Sequence, residues 1–195
     1  MLNRICVFCG SSTGARSEYT SAAQALGREM ATRGIGLVFG GGGVGLMGVI
    51  ADAVLAAGGH AIGVIPHAMV ARELAHRALP DLRIVNSMHE RKATMAALAD
   101  AFIAMPGGFG TFEEFFEVVT WTRLGLHRKA CGLLNVSGYY DPLITQIDRG
   151  VAEGFVREGD RRSVFSHADP AALIGMVAER PEPPDAIWLS DPAES

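Results

Sequence analysis

AFIAMPGGFGTFEEFFEVVTWTRL, residues 101–124, changes character in its middle. Its opening run, 101–105, is apolar at every position, as suits a strand buried on both faces. From Thr111 onward the apolar residues repeat at helical spacing, and Pro106, Gly107, Gly108 and Gly110 form the loop between. The stretch therefore reads as strand, glycine-rich loop and helix. A strand without a polar face needs helices on both sides of its sheet, which points to an α/β layer architecture.

The same alternation recurs along the chain. Short apolar runs lie at 5–9, 35–39, 61–65, 82–85 and 131–134, and segments of helical period at 17–33, 46–57, 90–99, 111–124 and 141–153. The expected fold is a Rossmann-like, doubly wound, mainly parallel sheet with helices on both faces, in a single domain over residues 1–180. Residues 181–195, with four prolines and Trp188, read as an extended C-terminal tail pinned by that tryptophan. Ligands of open parallel sheets bind beyond the carboxyl ends of the strands. The loops at 10–14, 40–48 and 106–111 are therefore where a site is expected.

Composition narrows the function. A chain of 195 residues that is 49% hydrophobic has the material for a substantial core. Seventeen basic against 21 acidic residues, net charge −4, offer no positive field for a nucleic-acid backbone, so no nucleic-acid partner is expected. The N-terminus passes from Arg4 straight into a strand-like run, leaving no room for a leader, and a cytoplasmic location is expected. The apolar stretch 44–65 approaches the length of a membrane span, but Asp52 and the Gly58-Gly59 pair interrupt it, so no membrane association is expected. Three cysteines make a poor disulfide framework. Cys6 and Cys9 spell CxxC, yet an odd separation within a strand sends them to opposite faces as core residues. The six histidines show no metal spacing, and each reads as a surface or core residue. Met30, Met47, Met88, Met95 and Met105 read as packing residues.

Residues 40–48, GGGGVGLMG, satisfy GxGxxG at Gly43, Gly45 and Gly48. A dinucleotide site would need an acidic residue about 20 positions on, where this chain has Ile62-Gly63-Val64-Ile65. No Lys-Ser or Lys-Thr follows the glycines, so a phosphate-cradling Walker loop is also excluded. Two readings of these glycines stay open: close backbone approach to a small ligand, including Gly42 and Gly43, or tight strand-to-helix packing. The loop at 106–111 is the better anion site, because its glycines leave amides unshielded where a helix presents its positive end. Thr111 and Glu114 carry the spacing of a capping box, so Glu114 is either a cap or a catalytic carboxylate. In 88–95, MHERKATM, Arg91 stands three residues after Met88 and four before Met95, on their apolar stripe. An arginine on an inward stripe calls for an anion; Lys92, one position round, reads equally well as solvated. The helix at 111–124, with Phe112, Phe115, Phe116, Val119 and Trp121, is apolar over more than one stripe and reads as core and dimer surface together.

At these residues the chain resembles the LONELY GUY family of cytokinin-activating phosphoribohydrolases. PGGFGTFEE resembles the family's PGGxGTxxE signature, SMHERKATM its arginine-lysine helix, GGGGVGLMG its earlier glycine loop and CVFCGSS its opening strand, and the likeness extends over residues 5–178. The resemblance implies a homodimeric, metal-independent hydrolase without a cofactor that cleaves the N-glycosidic bond of nucleoside 5′-monophosphates. It makes Arg91 and Glu114 the catalytic pair. It makes Glu73, Lys92, Gly107, Gly108, Phe109, Gly110, Thr111, Phe112, Glu113 and Thr120 substrate contacts, Glu73 within a stretch that matches the family loosely. Relatives of this fold were often labelled lysine decarboxylases, yet a pyridoxal Schiff base has only Lys92 and Lys129 available here. A non-catalytic carrier of a nucleotide-like cofactor, as in molybdenum-cofactor carriers, is the alternative.

Overall fold

A computed structural model describes residues 2–70, 75–76 and 78–179. The tail at 181–195, its Trp188 and Glu73 lie outside the described residues. Among the described residues seven strands form one sheet: β1 (Arg4–Phe8), β2 (Gly36–Phe39), β3 (Ala61–Pro66), β4 (Asp81–Val85), β5 (Ala101–Ala104), β6 (Cys131–Leu134) and β7 (Val164–His167). Every pairing is parallel, in the order β4-β3-β2-β1-β5-β6-β7. The helices are α1 (Ser17–Thr32), α2 (Gly45–Ala56), α3 (His67–Val70), α4 (Met88–Leu98), α5 (Phe109–Arg123), α6 (Asp141–Ala152), α7 (Glu158–Arg162) and α8 (Pro170–Ala178).

Alternation along the strands builds two cores. Ile5, Val7 and Cys9 with Leu37, Phe39, Ala101 and Ile103 pack against α1, α2 and α8. Cys6, Phe8, Val38, Phe102 and Ala104 pack against α4 and α5 on the other face, with Leu143 and Ile144 of α6 beside them. Cys6 and Cys9 thus face opposite cores, as their odd spacing requires. All three cysteines are buried, and burial pushes their thiols up, Cys131 to about 12, leaving them inert at neutral pH.

The expected strands and helices are all present, with ends shifted by one or two residues. Four elements were not expected. β7 is half-buried at the sheet edge, so it lacks the continuous apolar run that marked the central strands. α8 is short and apolar on most sides; Asp169 caps it by accepting from Ala172 N at 2.8 Å. The single-turn α3 and five-residue α7 are too short for a periodic signal. Met88 departs from its expected packing role: at the first turn of α4 it is 45% exposed. Among the described residues no helix is long and apolar enough to cross a membrane, and no group of three or more His, Cys, Asp or Glu side chains could hold a metal ion.

The chain leaves β1 for one side of the sheet and returns from β4 to β5 on the other. β1 and β5 are neighbours, so the switch in winding direction falls between them, and the crevice at their carboxyl ends is the ligand position of such sheets.

Candidate active site

The three loops expected to bear a site meet at this crevice. Gly10 N donates to Pro106 O at 3.1 Å, and Leu46 N donates to Gly10 O at 3.0 Å. A cleft of about 260 Å³ opens over the junction, lined by Ser11, Ser12, Thr13, Tyr19, Gly107 and Tyr139 among others.

The two glycine-rich loops have different neighbours. In 40–48 the absent side chains make room for protein. A Cβ on Gly40 would fall on the Arg91 guanidinium, one on Gly43 would meet His76, and one on Gly48 the Gly43 carbonyl. Gly45, at φ 60°, lies against the backbone of Ser11 and Ser12. Gly42 is buried and bridges to Ala75. The Leu46 amide, which would open the first turn of α2 to an anion, is bonded to Gly10. Packing explains most of this loop. In 107–110, by contrast, Gly108 and Gly110 face open space, while Gly107 makes room for the Thr111 side chain and Gly10 N.

The capping box at Thr111 and Glu114 is not formed. Gly108 is the N-cap of α5 and no side chain among the described residues caps the helix, so Thr111 is already the third helical residue. The glycines let the helix start earlier than the threonine would have placed it. The same S/T-x-x-E spacing is used one helix earlier: Ser87 accepts from Glu90 N at 3.1 Å, and the Glu90 carboxylate accepts from Asn86 N at 2.8 Å. Glu114 is therefore free of capping, and α5 presents an open positive end. Burial raises the Glu114 pKa from 4.5 to about 7; Arg91 and Lys92 oppose that rise, and Glu113 and Glu117 add to it.

Arg91, 6% exposed, is buried as the stripe argument required. The anion that argument called for is replaced by two backbone carbonyls: Nε donates to Val64 O at 3.0 Å and Nη2 to Gly40 O at 2.9 Å. These tie the side chain to the ends of β2 and β3. Toward Glu114 it acts as a nearby charge. Nη1 contacts Met88 Sδ at 3.8 Å.

Lys92 is not solvated: its ammonium donates to Glu113 and Glu117, the latter at 2.9 Å. Burial works against its charge, but those carboxylates outweigh it and hold its pKa above the usual lysine range. Lys129 donates to Ala96 O and lies over the Phe102 ring. Neither lysine stands free in a cleft, so the residues present do not fit a pyridoxal Schiff base. Phe109 is 92% exposed beside the open loop, and Phe112 is partly buried against Tyr140. Thr120 is not brought to the cleft. Lying about two and a half turns beyond Thr111, it bonds Phe116 O and lines a separate groove between α5, α6 and α7. Of the aromatic stripe on α5, Phe115 is buried, whereas Phe116 is 41% exposed.

Sequence reasoning named the loop at 10–14 but not its hydroxyls, and missed Tyr19 and Tyr139. Tyr139 OH donates to Gly107 O, with the Tyr19 ring edge-on to it. A turn at 135–140, with Ser137 in the left-handed region at φ 52° and Asn135 bonded to both Tyr140 N and Asp141, delivers Tyr139 there. No sequence motif marks that turn; its only cue is a pair of tyrosines after a strand.

A family model described as "Possible lysine decarboxylase" matches residues 47–177. The chain is 53% identical over 176 residues to the cytokinin riboside 5′-monophosphate phosphoribohydrolase LOG of Oryza sativa subsp. japonica, covering 90% of this chain and 73% of that protein. It is 51% identical over 176 residues to a protein of the same activity name from Arabidopsis thaliana, covering 90% and 81%. Similar solved structures include the molybdenum cofactor carrier protein of Chlamydomonas reinhardtii (TM-score 0.69, 22% identity, 92% of this chain and 98% of that one). Another is the molybdenum cofactor binding protein of Rippkaea orientalis (TM-score 0.70, 21% identity, 92% and 97%). At that identity they establish the fold alone.

Proposed function

The chain belongs to the LOG family of cytokinin riboside 5′-monophosphate phosphoribohydrolases, and from that premise we propose that it hydrolyses the N-glycosidic bond of N6-modified adenosine 5′-monophosphates to free base and ribose 5-phosphate. The observation that carries this reading is Glu114. It is a carboxylate released from capping, largely buried beside an arginine, in the second turn of a helix whose first turn is open.

Breaking the bond between base and ribose leaves positive charge on the sugar and negative charge on the base, while water supplies hydroxide to C1′ and a proton to the base. Ionised Glu114 stabilises the oxocarbenium-like sugar and takes a proton from the attacking water. A carboxylate with a pKa of about 7 suits that exchange near neutral pH. Arg91, held by two carbonyls, positions the nucleotide without having to reorganise. The amides that open α5, with Gly108 and Gly110 bare beside them, hold the 5′-phosphate. Gly42 and Gly43 enter this reading as further substrate contacts, and Lys92 keeps Glu113 and Glu117 from repelling the phosphate.

Thr120 and the exposed Phe109 and Phe116 share one face of α5, which supports a homodimer in which a second copy covers that face and the partner's Thr120 reaches the substrate. Glu73 is carried over by resemblance as a further contact. The protein acts in the cytoplasm, with no nucleic-acid or membrane partner. A carrier of the same fold has no use for a carboxylate beside the sugar. Incubating the protein with AMP and with isopentenyladenosine monophosphate, then separating the products by chromatography, decides between them. Free base supports hydrolysis; tight binding without release supports the carrier.

A further inference from the structure

Gly40, Gly41, Gly42 and Gly43 are consecutive and have no side chains to fix their path. Two of their carbonyls accept bonds from distant parts of the chain. Gly40 O receives the Arg91 guanidinium at 2.9 Å, and Gly41 O receives the His76 amide at 2.9 Å. Gly42 bridges to Ala75, and Gly43 packs on the His76 backbone. The His76 side chain is 7% exposed and donates from Nε2 to Asp52 Oδ1 on α2 at 2.9 Å, while Nδ1 is buried without a partner among the described residues. One histidine thus anchors the loop to a helix through its ring and to itself through its backbone, and the carbonyl that aims Arg91 is the next link.

We propose that His76 is a positioning residue for the glycosidic hydrolysis: its bond to Asp52 holds the Gly40–Gly43 path, and that path fixes the direction of Arg91. The proposal rests on the function proposed above. Because the working bond is made at Nε2, glutamine, whose amide nitrogen reaches that position, replaces it, whereas asparagine, which reaches only the idle Nδ1 position, does not.

The test uses the full chain, with initial rates of base release from AMP and a thermal melt for each variant. His76→Ala and His76→Asn are expected to lower kcat/KM by about tenfold or more, His76→Gln to stay within about threefold of the parent, and Asp52→Ala to follow His76→Ala. In an Arg91→Lys background, which cannot bond both carbonyls, His76→Ala is expected to add less than about threefold. Equal losses for glutamine and asparagine, or losses that multiply in the Arg91→Lys background, overturn the proposal. Absence of base release by the parent chain overturns the functional reading instead. The tether is then read from the NMR signal of the Arg91 guanidinium, expected to be retained in His76→Gln and lost in His76→Ala; its retention in His76→Ala overturns the proposal.

Discussion

Replacing Glu114 by glutamine separates the cost of the carboxylate from its use. The side chain keeps its shape and loses its charge. In the folded chain burial lifts the pKa from 4.5 to about 7, and at about 1.4 kcal/mol per unit this difference is worth roughly 3 kcal/mol. Between those two values the folded state still holds a proton that the unfolded chain has released. Folding stability contributed by this group therefore falls as pH rises through the window, and the full penalty is present above it. Glutamine does not titrate and escapes the penalty. Urea unfolding at pH values from 4 to 8 is expected to show the two proteins nearly matched at the acid end. The variant then gains by roughly 3 kcal/mol, or about 10 °C in Tm, at the alkaline end. The same substitution is expected to abolish base release while preserving AMP binding. A stability difference that does not change with pH would refute the claim that Glu114 is a desolvated carboxylate, and undiminished base release would refute its role.

Four further outcomes follow from the same geometry. With AMP as substrate, kcat/KM is expected to rise with pH through a group titrating at about 7, reporting ionised Glu114 in the free enzyme; a falling limb there would assign the acid form instead. Adenosine, which lacks the phosphate that α5 is proposed to hold, is expected to turn over at least about a hundredfold more slowly than AMP, and equal rates would remove the phosphate anchor. Gly110→Ala meets no atom within 4 Å and replaces a helical glycine, so it is expected to stabilise the fold by up to about 1 kcal/mol while raising the KM for AMP. Gly45→Ala, forced to φ 60° against the Ser11 backbone, is expected to cost about 3 kcal/mol in a thermal or urea melt.

What was legible in the sequence was whatever depends on local pattern. Strands buried on both faces announce themselves by unbroken apolar runs, so 5–9, 61–65 and 101–105 were read close to their true limits, while edge strand β7, whose apolar run stops after Phe165, was not. Arg91 was legible as an inward arginine because helical spacing fixes its direction. Its partners were not, since Val64 O and Gly40 O lie 27 and 51 residues away and backbone carbonyls have no sequence signature. Lys92 misled for the same reason: Glu113 and Glu117 approach it from another helix. The capping box at Thr111 failed because competing glycines moved the helix start, a contest that spacing rules do not weigh.

The two glycine-rich loops show why composition alone could not rank them. Each follows a strand and opens a helix, yet one loop's missing side chains are occupied by Arg91, His76 and Ser11, whereas Gly108 and Gly110 of the other face empty space. A glycine filled by protein fixes something; a glycine left bare admits something. On that distinction the loop at 40–48 is the mount of the site and the loop at 107–110 is its mouth. Arg91 belongs to the first and Glu114 to the helix that follows the second, so the proposed catalytic pair joins a fixed cation to a buried carboxylate. The electrostatic arrangement follows from this division. Bonds that need no ligand hold the arginine in place, while burial keeps the carboxylate at the raised pKa that lets it exchange a proton with water.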